Sequence, residues 1–389
     1  MTRLQYVQQL QKANADVAAI FFGDDVLYMA YEYKAGQPHS AVTKLIQNLT
    51  AGARGNSLAK ETIYTTQRDL LPMDLGMAKL FGMWIQNRED RKNAPDRPAL
   101  TEIEDKYEPP RFLASKAKCG GQVNLLLQSA DYKKVHRLYL MAAFGVVSGK
   151  LSELASGTTG GHAIGAILVH SDGTIAGWST NSNKRNKSQH AEVNLIQSYF
   201  ARNKVDRLPN GAHIYSTLKP CAMCAGMIVS CAGQSYRVIY GQNDSGNFAA
   251  DTALDQAKTS ELIGTAISGQ LHLIKENFTQ KGKKKVPLTA QAAGQTKERI
   301  GVDAALAGGY ERHKKVYGSE GGITAYLDMQ GENAAGVIGS VADRLAAKVG
   351  KADTYYQGKY TAADSPVLPV IRHIEAFLKA IKAFETMKW

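Results

Sequence analysis

Cysteine is scarce in this chain. Only Cys119, Cys221, Cys224 and Cys231 occur among 389 residues, too few and too unevenly spaced for a disulfide framework, which leaves metal ligation or free thiols. No apolar run reaches the ~18–20 residues that cross a bilayer. The opening stretch MTRLQYVQQLQKANADVAAIFF lacks the apolar core followed by small residues of a secretory signal, so the expectation is a cytoplasmic protein with no membrane partner. Proline is sparse at 11 residues, and with 44% hydrophobic and 21% charged residues long disorder is excluded. No internal repeat and no low-complexity segment stands out. Acidic charge is also in deficit, 35 residues against 47 basic ones for a net +12. Such a field favours polyanions, although many basic proteins bind no nucleic acid.

A chain this long exceeds one ordinary core. Residues 16–33 read as two short apolar strands around the turn Gly23-Asp24-Asp25. The charged, proline-bearing stretch 88–110 reads as a solvated loop or linker, which places an N-terminal α/β domain of unknown role at 1–130. Helix and strand then alternate, as in an α/β layer. A helix over 135–154 repeats Leu138, Ala142, Val146 and Leu151 on one face. It is followed by a hairpin over 163–180, a basic loop 181–189, a helix 190–203, a strand 212–217, a helix from Cys221 and a strand 236–241. A helical segment within 249–264 and a last strand at 270–274 complete a domain over 135–278. The remainder, 279–389, carries the charge run KGKKK at 281–285 and reads as mostly helical. Its helices are placed at 334–348 and 367–387, the second with Val370, Ile374, Phe377, Ile381 and Phe384 at helical spacing, as on a helix packed against the body of the protein.

Chemistry concentrates in two places. His190-Ala191-Glu192 and Pro220-Cys221-Ala222-Met223-Cys224 form H-x-E followed by P-C-x-x-C, the signature of zinc deaminases. Cys221 and Cys224, three apart at a helix start, face one side, and the helix N-terminus favours the thiolate that binds metal. If the two helix starts converge, one nitrogen and two sulfurs hold Zn²⁺ and leave a fourth position for water. Glu192, two positions beyond His190, is placed to move protons and not to ligate. The expected reaction is hydrolytic deamination by zinc-bound hydroxide with Glu192 as proton shuttle. Either motif alone has a bland explanation, a redox pair or a surface helix. Both starting helices after a strand and loop, with a strand between them, argue for the metal site. Cys119 and Cys231 lack this context and read as buried free thiols.

Residues 212–244, and most closely STLKPCAMCAGMIV at 216–229, resemble the tRNA adenosine deaminases and their relatives in the cytidine deaminase-like superfamily. The resemblance covers about 135–275, and the flanking regions add a similarity to bacterial toxin-like nucleic-acid deaminases. It implies a three-layer α/β/α domain with a mixed five-stranded sheet. It implies zinc on His190, Cys221 and Cys224, with Glu192 catalytic. Asn181 or Asn183 would contact substrate, each equally readable as a turn residue. The Ala191 amide would lie near the leaving edge of the base, and Asp244 would be a loop residue near the site, with a turn role as its alternative. Lys219 stands where many relatives have an acid, and the loop 181–189 differs from the tRNA enzymes. Room for a helix between the fourth and fifth strands implies a parallel fifth strand, as in members that act on polynucleotides.

The leading expectation is deamination of adenine or cytosine within RNA or DNA, with Lys184, Arg185, Lys187 and Lys219 meeting phosphates and aromatic side chains stacking a flipped base. The alternatives are a free base, nucleoside or nucleotide such as guanine or a cytidine derivative, and a non-catalytic zinc-containing module, against which Glu192 argues. Oligomeric state is open, a homodimer among the options.

Overall fold

The computed structural model describes residues 1–103 and 164–262, less 23–25, 33–37, 52–57, 89–91, 96–97, 184–185, 242–243 and 245–246, together with Tyr107, Cys119, seven positions between 135 and 146 and six between 370 and 380. The first helix, α1 (Arg3–Gln9), starts at a capping box of Thr2 and Gln5. Next come β1 (Asp16–Phe22) and β2 (Val26–Glu32), an antiparallel hairpin. Ser40 and Thr43 form the capping box of α2 (Ala41–Thr50). After β3 (Thr62–Thr65), the helix α3 (Pro72–Phe81) opens on proline and closes on Gly82 at φ 64°, a left-handed position that glycine takes without steric cost. Strands β4 (Trp84–Gln86) and β5 (Ala99–Glu102) complete a five-stranded sheet of order β4-β3-β1-β2-β5.

A second sheet follows. Strands β6 (Gly165–Val169) and β7 (Ile175–Thr180) pair antiparallel; then come α4 (Ala191–Asn203), β8 (His213–Ser216), α5 (Ala222–Cys231), β9 (Arg237–Tyr240), α6 (Ala253–Ala257) and β10 (Ser260–Leu262). The order is β10-β9-β8-β6-β7, with β8-β9 and β9-β10 parallel. The sheet is mixed with a parallel fifth strand, as expected, but that strand is Ser260–Leu262, within the stretch 249–264 read as helical, of which Ala253–Ala257 forms α6. The segment 270–274 lies outside the described residues.

Alternation along the strands sorts the second sheet into two faces. Ala166, Leu168 and Ile214 face α4 and α5, while Ile167, Val169, Tyr215 and Ile239 face helical residues from 135–146 and 370–377, among them Tyr139, Val146, Ile374 and Phe377. That makes three layers, α/β/α. The described residues at 370, 374 and 377 are helical and buried as the spacing expects; 281–285, 334–348, Ile381 and Phe384 lie outside the described residues. None of the described helices is long and apolar enough to cross a membrane.

Two sequence expectations change. The stretch 88–110 contains a strand, since Ala99–Glu102 pairs parallel with β2. All four of its residues are exposed, and an edge strand without a buried face has no apolar alternation to betray it. The chain also contains a repeat: hairpin, helix, strand, helix, strand recurs in both sheets with the same pairings, antiparallel β1-β3 and β6-β8, parallel β3-β4 and β8-β9. The helices of the two units share one core, in which Leu45, Ile46, Met73 and Met77 pack with Leu195, Ile196, Met223 and Met227.

Candidate metal centre

Both halves of the motif sit at helix starts. His190 is the N-cap of α4 and Cys221 the N-cap of α5, both in extended backbone, so each side chain hangs off the end of its helix. Strands β7 and β8 each run antiparallel to β6 and so point the same way, which brings the helix starts that follow them to the same end of the sheet. There His190 Nδ1 lies 3.5 Å from Cys221 Sγ and 3.6 Å from Cys224 Sγ, with the two sulfurs 3.6 Å apart. Ligands at ~2.3 Å (sulfur) and ~2.0–2.1 Å (nitrogen) around a tetrahedral zinc stand roughly 3.6–3.8 Å from one another. The triangle therefore fits one face of such a tetrahedron, and its S₂N donor set suits zinc. Among the described residues this is the one His/Cys/Asp/Glu group so placed.

Glu192 is buried in the first turn of α4, and its Oε1 accepts a 2.7 Å hydrogen bond from Ser216 Oγ at the end of β8. Burial and the neighbouring Cys221 charge push its carboxyl above the ordinary range, with the Ser216 bond acting the other way. A hydrogen bond shared with Cys224 and the nearby His190 hold the Cys221 thiol well below its ordinary value, although burial opposes this. Burial works against a charged His190, yet Cys221, Glu192 and Asp244 together raise it. The arrangement thus gathers two thiols, an imidazole and a carboxyl in one buried corner.

The other expected residues fall as follows. Asn181, buried at the end of β7, accepts the Ala191 N–H through Oδ1 at 2.5 Å, which ties it and the Ala191 amide directly to His190. Asn183 is half-buried and Lys187 exposed, while Lys184 and Arg185 lie outside the described residues. Asp244 is half-buried and close enough for its charge to act on His190. Lys219 forms an ion pair with Asp255 at 2.9 Å, so its charge is shared with the capping box of α6. Cys119 and Cys231 are buried and neither is in a disulfide.

Sequence reading missed Ser216 and Asn186. Ser216 was findable, because strand alternation from Ile214 puts it on the helix side just before the Pro-Cys pair. Asn186 was not. Its Oδ1 takes hydrogen bonds from Ser188 N at 3.0 Å and from Thr50 Oγ1 at 2.9 Å, and its Nδ2 donates to the Gln47 carbonyl at 2.8 Å. Two of these partners are more than 130 residues away.

Residues 160–263 match the family of Bd3614-like deaminases. A cytosine deaminase of Candida albicans is 32% identical over 90 residues, 22% of this chain and 55% of that protein. A tRNA-specific adenosine deaminase of Buchnera aphidicola is 34% identical over 79 residues, 20% of this chain and 50% of that protein. A solved structure from a study of A-to-I editing by tRNA:A34 deaminases shares 34% identity over 23% of this chain and 68% of its own, with a TM-score of 0.21. The chain spans about half the length of the curated relatives it matches. Residues 160–263 thus carry the likeness of this chain to deaminases of the cytidine deaminase-like superfamily.

Proposed function

We propose that this chain is a zinc-dependent hydrolase that removes the exocyclic amine of adenine or cytosine within nucleic acid. The observation that carries this reading is the His190, Cys221, Cys224 triangle with the buried Glu192 carboxyl beside it. These three residues would hold Zn²⁺, which supplies the Lewis acidity that makes water a competent nucleophile near neutral pH. In the reaction, water adds to the amine-bearing ring carbon, the carbon–nitrogen bond breaks and ammonia leaves. Glu192 takes one proton from the water and delivers it to the adjacent ring nitrogen, then takes the proton of the added hydroxyl and delivers it to the departing amine. The Ser216 hydroxyl fixes the carboxyl's orientation, and Asn181 holds the first turn of α4 in place.

A polymeric substrate is supported by the +12 net charge, by the basic residues of the loop before His190 and by the likeness to a tRNA-specific enzyme. The likeness to a cytosine deaminase favours a free base as the second reading. A cytoplasmic setting goes with either. RNA and DNA should be sequenced from cells expressing the wild type beside a Glu192→Ala control. A-to-G or C-to-T changes that vanish in the control are the expected result. Unchanged nucleic acids, with release of ammonia from a free base, would overturn the polymeric substrate.

A further inference from the structure

The repeat found in the fold has a register. The helix sequence SAVTKLIQNL from Ser40 lies 150 residues before HAEVNLIQSY from His190, with Leu-Ile-Gln in common; PMDLGMA from Pro72 lies 150 before AMCAGMI from Ala222, with Met, Gly and Met in common. Contacts between the two units obey the same offset. Gln47 and Gln197, equivalent residues, exchange side-chain hydrogen bonds at 3.3 and 3.1 Å. A Cβ at Gly76 would collide with the Ala222 carbonyl, and a Cβ at Gly226 with the Pro72 carbonyl, so α3 and α5 cross at two equivalent glycines and each lies against the start of the other. When residue i meets j and the equivalent of j meets the equivalent of i, the interface is that of a two-fold dimer. Here both halves belong to one chain.

In this register the metal triad His190, Cys221 and Cys224 corresponds to Ser40, Leu71 and Asp74, and Glu192 to Val42. The N-terminal corner holds a closed hydrogen-bond cluster. Ser40 Oγ donates to Asp74 Oδ1, and Gln67 Nε2 and Leu71 N donate to Asp74 Oδ2 at 2.7 and 2.9 Å. The carboxylate replaces metal as the hub that joins two helix starts.

We propose that the N-terminal unit is a degenerate, metal-free copy of the deaminase fold that acts as an in-chain partner and positions the metal site of the other copy. This rests on the metal-site reading above. The partner has two grips. From α2, Thr50 Oγ1 and the Gln47 carbonyl hold Asn186, which through Ser188 N and the bond from Gln189 N to its own carbonyl shapes the loop that ends at His190. From α3, Gly76 sets the position of Ala222, the residue after Cys221. Thr50 and Gly76 are positioning residues that act through the ligands.

The test uses the full chain and the metal alone. Zn²⁺ affinity is measured by chelator competition, and the absorption of bound Co²⁺ reports the ligand geometry, in folded Thr50→Val, Thr50→Ser, Gly76→Ala and Leu27→Ala. Outer-shell changes cost roughly 10–100-fold in metal affinity. Losses of about tenfold or more with altered Co²⁺ spectra are expected for Thr50→Val and Gly76→Ala. Thr50→Ser, which restores the hydroxyl, should return to wild type. Leu27→Ala opens a cavity on the far face of the N-terminal sheet and should lower stability without moving affinity or spectrum. Thr50→Val and Gly76→Ala chains that bind metal like wild type would overturn the proposal, as would metal retained by the N-terminal unit of a Cys221→Ser chain. A wild type that takes up neither ion would overturn the metal-site reading beneath it.

Discussion

The two units of this chain share the order of their first four strands and part company at the corner where two helices start. In the N-terminal unit a buried Asp74, bonded by Ser40, Gln67 and the Leu71 amide, joins α2 to α3. In the other, His190, Cys221 and Cys224 leave a triangle of metal donors at the equivalent corner. The frame evidently does not require the site: hairpin, helix, strand, helix, strand forms around either set, because most of the buried apolar residues lie on strands and helices beyond that corner. One corner is complete in itself, and the other offers three donors that an ion would complete.

That contrast has energetic consequences. Asp74→Ala leaves a buried hydroxyl, amide and backbone N–H without their acceptor, and should cost about 3 kcal/mol of unfolding free energy. Cys224→Ala in metal-free protein removes one small thiol and should cost about 1 kcal/mol. Denaturant titration of both variants compares the corners. Equal costs would mean that the Asp74 cluster does not replace the metal as a hub.

A smaller effect separates the outer faces of the two sheets. Behind the deaminase sheet, His136 is buried with Nδ1 2.7 Å from the Tyr215 hydroxyl and stacks on His213. Burial, then the charges of His213 and Arg237, push it down to about 3. Its folded value lies below its unfolded value near 6.5, so between those values the unfolded chain binds the extra proton. Stability is therefore full above pH 6.5 and is lost as the pH falls, by about 2–3 kcal/mol at pH 4.5. On the outer face of the N-terminal sheet, built of Leu4, Val7, Val17, Phe21 and Tyr64 among others, no histidine is buried among the described residues. Thermal unfolding of the Cys221→Ser chain, in which metal release plays no part, should show this acid slope, and His136→Gln should flatten it. A slope untouched by that change would place the acid sensitivity elsewhere.

How much of this could be read from sequence follows from the range of each interaction. The H-x-E and P-C-x-x-C motifs are local, and they led to the donors that the structure brings within 3.6 Å of one another. The strands β1, β2, β6 and β7 were legible from alternating or apolar runs bounded by turns. The edge strand Ala99–Glu102 was not, because all of its side chains are in solvent. The repeat was hidden for a different reason. A buried position asks only for an apolar residue of suitable size, so the copies drifted until little beyond Leu-Ile-Gln and Met-x-x-Gly-Met remained in register. Lys219 was expected to offer charge to a substrate, but its pairing with Asp255, 36 residues on, depends on the placement of α6.

The central claim is that the His190, Cys221, Cys224 corner holds zinc while Glu192 moves the protons. The most direct measurement is zinc content beside deamination rate in Glu192→Gln, with Cys221→Ser as the comparison. Glutamine keeps the size of the side chain and an oxygen for the Ser216 bond but cannot carry the proton, and general acid–base groups contribute ~10²–10⁴-fold. The expected result is close to one zinc per chain in Glu192→Gln with turnover down by about 10⁴-fold, against loss of both zinc and turnover in Cys221→Ser. Wild-type turnover in Glu192→Gln would contradict the proton role, and full zinc content in Cys221→Ser would contradict the site.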